Sequence, residues 1–463
     1  MPTIAEIMCG ERGIEGVQQL LTADSVRDVV QSMLQPTAVL QACHLRRAKF
    51  KPGRKLTAYY DAEMSSAVQT NGPIGLTSVR PLAVTWTPPG TPHKLAITEG
   101  ALGIEIQQRG LAAPFARLIC DRPDANMHVQ MAPFDPIYPH LARLMDPDYA
   151  REMLGAYIDY NSHWNVTPIR YRPRQRHVLR YDAQTAPPST AAAPQALFAK
   201  VYADADHQPF YVRNQRIADW LAASSSTVTV LRPLAYLPAD FTILYAQVNG
   251  EPLSDHLAQD DQQRNHATLH NLTQSGAALR TLHQAPADIT QGLPTIRMEA
   301  ELKAIRRTCE HIAALLPETW QRVESALRRA ADMYGALPQE APTFVHGDFK
   351  ADHVLTAGNQ LTLIDFDSCA LVDPAYDIGK FLADLVWWSG DAYSVAGAQM
   401  SNAFLAGYGL AENDVRLQRA RIWQTLIGIK MVAHRVRIFD AQWGARTDAA
   451  IQNCVAGLYE MSA

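Results

Sequence analysis

Apolar positions at helical spacing open the chain. Ile14, Val17, Leu20 and Leu21 predict one helix and Val26, Val29, Val30 and Met33 a second, with Asp24-Ser25 as a cap between them. The period then changes. Across residues 48–61, Lys51-Pro52-Gly53-Arg54 separates two runs containing Phe50, Tyr59 and Tyr60, which predicts a hairpin. Leu82–Trp86 and Lys94–Thr98 predict two further strands around a Pro/Gly-rich turn at 88–92. Asp135-Pro136 and Asp146-Pro147 bracket a short helical piece, and another runs from Tyr149 to Tyr157.

The hairpin has an echo. At a constant offset of 121 residues, Phe50 meets Tyr171, Lys51 meets Arg172 and Pro52 meets Pro173; Lys55, Tyr60 and Asp61 meet Arg176, Tyr181 and Asp182. Chance produces matches this short, and so does duplication. On the second reading residues 1–165 are an α/β module carrying a degenerate repeat of the β-rich segment that begins near Thr167.

From Thr167, strands 168–171 and 177–181 flank a basic turn at 172–176. A low-complexity connection rich in Pro, Ala, Ser and Thr comes next at 183–195, then a strand at 196–202 with Lys200 in its middle. A helix is expected over 208–223, burying Val212, Ile217, Trp220 and Leu221, and then strands at 228–234 and 241–248. Residues 253–335 and 378–463 read as helical; helices are expected at 297–316 and 317–337, and Leu269, Leu272, Leu279 and Leu282 form one buried face. The class is α+β in three parts: a module at 1–165, a small antiparallel β lobe at 166–250 and a large helical lobe at 251–463.

Composition narrows the role. A chain of 463 residues with 47% hydrophobic and 19% charged residues is an ordinary globular protein of more than one core. A net charge of −4 offers no basic stripe for nucleic acid. No basic segment precedes an apolar core at the N-terminus, and no apolar run reaches the ~20 residues of a membrane span. Cys9, Cys43, Cys120, Cys309, Cys369 and Cys454 are far apart with no CxxC pair, which fits free thiols in a reducing, cytoplasmic compartment. Neither a nucleic-acid nor a membrane partner is expected.

The chemistry gathers in one stretch. His346-Gly347-Asp348 ends a short apolar run, and Leu363-Ile364-Asp365-Phe366-Asp367 ends another, with a Gly358-Asn359 turn between them. Strand, loop, strand, turn, strand would bring Asp348 and Asp365 to one rim. Either Asp alone reads equally well as a turn former. As a pair they suit Mg-dependent phosphoryl transfer, one carboxylate beside an alcohol and one on a metal.

These segments resemble the aminoglycoside phosphotransferase and choline kinase family, relatives of the protein kinases. The likeness extends over about 168–440 and implies a two-lobed kinase-like fold, ATP with Mg²⁺, and a small-molecule acceptor. It implies Asp348 as catalytic residue, Asp365 as metal ligand with Asp367 a helper, and His346 and Asp377 of Asp373-Pro374-Ala375-Tyr376-Asp377 as supports. Lys200 would meet the nucleotide phosphates, and Gln247 and Val248 would line the adenine hinge. Arg174, with Arg172 and Arg176, either brings charge to a turn lacking the family's glycine or is solvated. Two departures stand out. His353 occupies the family's Asn position, suiting Mn²⁺ better than Mg²⁺, and the helix after Lys200 offers Gln215 or Asp219 but no Glu. The acceptor stays open between a sugar-like molecule, favoured by the Arg-rich, acid-free helix at 415–439, and an aminoglycoside. A catalytically degenerate nucleotide-binding module is the third reading.

Overall fold

The structure, a computed structural model, describes residues 3–22, 24–66, 77–91, 99–158, 163–184, 194–224, 227–257, 266–389 and 395–460. They form two compact units: Met1–Tyr211 with Pro233–Gln247 and Arg437–Ala441, and Val212–Arg232 with Val248–Val436 and Gln442–Ala463.

The first unit carries two antiparallel five-stranded sheets. One contains β1 (Ala38–Lys51), β2 (Lys55–Ser66), β3 (Thr77–Trp86), β4 (Ile119–Arg122) and β5 (Met127–Met131), in the order β1-β2-β3-β5-β4. The helix Gly100–Gln108 lies between β3 and β4 in sequence. The strand expected at Lys94–Thr98 falls outside the described residues. The other sheet starts with β6 (Trp164–Arg170), β7 (His177–Ala183) and β8 (Ala196–Val201). Residues 228–234 are not the single strand expected. They divide into β9 (Val228–Val230), which belongs to the second unit, and part of β10 (Pro233–Leu237). With β11 (Thr242–Ala246) the second sheet reads β6-β7-β8-β11-β10. Alternation sets its faces. His177, Leu179 and Tyr181 point into the core with Leu197, Ala199 and Val201, so Phe198 and Lys200 lie on the opposite face.

The second unit is mainly helical, and its small strands carry the motif residues: β12 (Glu251–Pro252), β13 (Thr343–Val345), β14 (Val354–Ala357), β15 (Gln360–Leu363) and β16 (Ala370–Val372). β9 pairs in parallel with β15, while β13 pairs with β16. The helix expected at 297–316 is two, Met298–Thr308 and Glu310–Leu315. The helices His266–Leu282 and Val395–Tyr408 pack at backbone distance. A Cβ on Gly276 would collide with the Phe404 carbonyl, and one on Gly407 with that of Thr273.

The Arg-rich helix Val415–Arg435 is neither a solvated face nor an open positive field. Arg416 pairs with Glu340 at 2.6 Å, and Arg419, 1% exposed, with Glu340 and Asp373. Lys430 holds Glu301 at 2.5 Å and Arg435 holds Asp384 at 2.6 Å. Acids from other elements thus pair with four of its cations, which removes the charge argument that this helix offered for a sugar-like acceptor.

Candidate active site

β13 delivers His346, Gly347 and Asp348 as the chain leaves the sheet. Gly347 takes φ +79, and any side chain there would strike the Ser368 carbonyl. The Asp377 carboxylate, fully buried, accepts the His346 N–H at 2.6 Å and the Gly347 N–H at 3.0 Å. The His346 ring bridges both halves of the motif. Its Nε2 donates to the Ile364 carbonyl at 3.0 Å, leaving Nδ1 to accept the Asp348 N–H at 3.3 Å. One imidazole thus ties the loop before Asp348 to the strand end before Asp365.

The hairpin β14–β15 turns through Gly358-Asn359, Gly358 at φ +60, and returns the chain beside its start. Asp365 comes next in the left-handed region at φ +65, a conformation short polar side chains tolerate best. Asp348, His353 and Asp365 therefore converge, with one ligand atom of each within 4.8 Å of the others. Asp367 is not in that group. His353 is 11% exposed, and burial, with the charge of Lys350, pushes its pKa down to about 4, so it is neutral at neutral pH. Its Nδ1 donates to the Asp348 carbonyl at 2.9 Å, which leaves the Nε2 lone pair facing the Asp365 carboxylate 3.6 Å away. A metal-ligating histidine characteristically donates its other ring N–H to an acceptor in this way. Asp365 and the neutral His353 imidazole, with Asp348 in reach, could hold one divalent cation, and an imidazole nitrogen suits Mn²⁺ or Zn²⁺ better than Mg²⁺.

Three residues not singled out in the sequence complete the loop. Lys380 reaches Asp348 at 2.9 Å, and Lys350 lies 3.6 Å away on the other oxygen. Burial alone would raise the Asp348 pKa; the ammonium groups of Lys380 and Lys350, joined by His353 once it is protonated, outweigh it and hold the carboxyl below its usual range. Asp384, fully buried, accepts the Ala351 N–H at 2.8 Å and pairs with Arg435. Asp377, Lys380 and Asp384 succeed one another by three and four along the helix Ala375–Ser389, a one-face spacing that could have flagged them.

The remaining residues singled out lie elsewhere. Lys200 pairs in register with Val178 and Ile243, its ammonium 5.4 Å from the Tyr245 ring centre. Arg174 takes φ +65 in the turn between β6 and β7. The Gln247 N–H donates to the Ala196 carbonyl at 2.9 Å. Of the two residues offered as helix partners for Lys200, Gln215 and Asp219, the second pairs with Arg232.

An α+β chain with this motif geometry has the class of the kinase-like phosphotransferases, which move a phosphoryl group from ATP to a hydroxyl of a small molecule. Residues 181–418, just over half of the 463, match the model of the phosphotransferase enzyme family, and the chain belongs to that family. Among solved structures it is similar to a spectinomycin phosphotransferase in complex with ADP and spectinomycin, at 14% identity and a TM-score of 0.46, covering 68% of this chain and 98% of that one. It is also similar to a choline kinase from Cryptosporidium parvum, at 10% identity and a TM-score of 0.48, covering 68% and 96%. A third is a macrolide 2′-phosphotransferase from Brachybacterium faecium, at 16% identity and 0.40, covering 68% and 97%. No curated protein matches the sequence. No described helix is long and apolar enough to cross a membrane.

Proposed function

We propose that the chain is a cytoplasmic kinase that phosphorylates a hydroxyl of a neutral, sugar-like molecule, with Asp348 as the catalytic carboxylate. The observation that carries this is the convergence of Asp348, His353 and Asp365. In this reading residues 1–165 are an N-terminal module, 166–250 the nucleotide lobe and 251–463 the catalytic and acceptor lobe. Lys200, Arg174, Gln247 and Val248 serve the nucleotide.

Asp348 orients the acceptor oxygen and takes its proton. The transition state of phosphoryl transfer is loose, so placement and charge matter more than base strength, and a carboxylate held ionised by Lys380 and Lys350 suffices. Asp365 and His353 would hold the divalent ion, with Asp367 a helper from outside the cluster. When bound, that ion neutralises charge on the phosphates. His346 and Asp377 keep the two segments in register, and Asp384 anchors the loop at Ala351. The sugar-like acceptor is carried over from the sequence reading: Lys380 and Lys350 are paired with Asp348, and Lys350 also with Asp352, so charge at this site does not choose between a sugar and an aminoglycoside, and the assay below does.

The test measures ATP consumption against neutral sugars, amino alcohols and aminoglycosides, with Mg²⁺ and with Mn²⁺. Turnover with a sugar, abolished in Asp348→Ala while nucleotide affinity is kept, is the expected result. Turnover with aminoglycosides alone would overturn the acceptor assignment. Nucleotide-induced stabilisation without turnover under either metal would establish a degenerate nucleotide-binding module instead.

A further inference from the structure

The two sheets of the first unit share more than a hairpin. In space both place the fifth strand between the third and fourth, and in chain order both have three strands, a helix and two strands, although in the second series the helix Gln208–Ser224 from Val212 onward, like the extra strand β9, belongs to the second unit. In each, the last two strands are joined by a Pro-led turn ending in a left-handed residue, Asn126 at φ 47 and Phe241 at φ 45. In each, the first hairpin has its left-handed residue at the same place, Gly53 at φ 66 and Arg174 at φ 65. The turn bonds also correspond: Arg54 N–H to the Lys51 carbonyl at 3.0 Å, and Gln175 N–H to the Arg172 carbonyl at 2.9 Å. Buried tyrosines close the pattern. Tyr60 donates to the Leu21 carbonyl and Tyr181 to the Leu144 carbonyl, both at 2.9 Å. Register then shows what the first sheet lacks. Lys200 stands between Val178 and Ile243, whereas the corresponding position between Thr57 and His128 is Thr85.

One difference bears on the nucleotide lobe. A left-handed backbone suits Gly53 but is unfavourable for Arg174, whose Cβ crowds it. In the first hairpin the Gly53 N–H is held by the Met8 carbonyl at 2.7 Å. In the second, the Arg174 N–H is held at 2.7 Å by Asp135, a fully buried carboxylate from the segment joining the two sheets. Asp135 also meets His177 Nε2 at 2.9 Å and accepts the Ile137 N–H at 3.0 Å. A carboxylate rather than a carbonyl suits this place, because Arg172, Arg174 and Arg176 crowd the turn and Lys55 of the first hairpin is near enough to feel Arg174. The first sheet braces the same turn directly, with Arg172 over the Tyr59 ring at 5.9 Å.

We infer that the sheet β1–β5 with its helix Gly100–Gln108 is a second copy of the small-lobe architecture, retained as a buttress without the nucleotide lysine, and that Asp135 is a positioning residue for the turn at 172–176. The inference rests on the phosphotransferase reading, in which that turn faces the nucleotide phosphates. Asp135 touches no nucleotide; it acts by holding Arg174 in a conformation the residue resists.

The test is a double-mutant cycle read by calorimetric binding of a non-hydrolysable ATP analogue, with KM for ATP and kcat measured alongside. Asp135→Asn is expected to weaken nucleotide affinity about tenfold and to raise KM for ATP while kcat stays within about twofold, the scale of one displaced charge-assisted hydrogen bond. In an Arg174→Gly background, where glycine adopts the turn unaided, the same change should cost under about threefold. Equal losses in the two backgrounds, or no loss in either, would overturn the inference. A wild-type protein that binds no nucleotide sinks the phosphotransferase reading together with it, whereas a nucleotide-binding wild type indifferent to Asp135→Asn sinks this inference alone. Should Asp135→Asn not fold, amide exchange in the unaltered protein decides: a slowly exchanging Arg174 N–H supports the assignment and a freely exchanging one refutes it.

Discussion

Asp384 is the sharpest place to test how the catalytic loop is held. Its carboxylate is wholly buried and carries three contacts: the Ala351 N–H at 2.8 Å, the Trp388 indole N–H at 3.3 Å and Arg435 at 2.6 Å. Asp384→Ala removes all three and leaves Arg435 without its counter-ion. Breaking a buried pair by deleting one partner costs about 3–5 kcal/mol. Arg435 is 21% exposed and lies 5.3 Å from the Trp387 ring centre, which softens its isolation, so the loss should be about 2–4 kcal/mol. Urea unfolding of wild type and variant reads this as a lower midpoint at constant slope. The loop should suffer too, with kcat falling at least about tenfold and nucleotide affinity kept, because Ala351 lies three residues from Asp348. The companion change Arg435→Met keeps the packing on the tryptophans and removes the stranded charge. Asp384→Ala with Arg435→Met should therefore lose less stability than Asp384→Ala alone. Strict additivity, or a loss under about 1 kcal/mol for Asp384→Ala, would refute the idea that this pair anchors the loop.

Other outcomes stem from the same geometry. Lys200→Met should raise KM for ATP by an order of magnitude or more with the fold intact, measured by steady-state kinetics beside a thermal melt. His353→Asn should shift the ratio of Mg²⁺- to Mn²⁺-supported turnover toward Mg²⁺, since an amide oxygen replaces an imidazole nitrogen; an unchanged ratio removes His353 from the metal. Lys380→Met should lower kcat while sparing nucleotide affinity, and a variant with wild-type kcat would show that the ion pair with Asp348 is incidental to turnover. Tyr181→Phe leaves the Leu144 carbonyl without its donor and should destabilise the protein by about 1–3 kcal/mol, checked by urea unfolding.

What the sequence determined by itself was local. The strands 168–171, 177–181 and 196–202, the helix after them and the juxtaposition of Asp348 with Asp365 all come from short-range rules: alternation, helical spacing and a Gly-Asn hairpin only a few residues long. His353 stood out only through the family resemblance, which places it where the family has an Asn. Tertiary structure decided what depends on elements far apart in the chain. It divided residues 228–234 between two units, because β9 pairs with β15 more than a hundred residues later. It spent the charges of Arg416, Arg419, Lys430 and Arg435 on acids from other elements, which no inspection of that helix could reveal. It set Lys380 against Asp348 and Asp384 under Ala351, and it placed Asp135 beneath Arg174. Local propensity fixes the direction in which each side chain leaves its element; only the packing of the elements determines what that side chain meets.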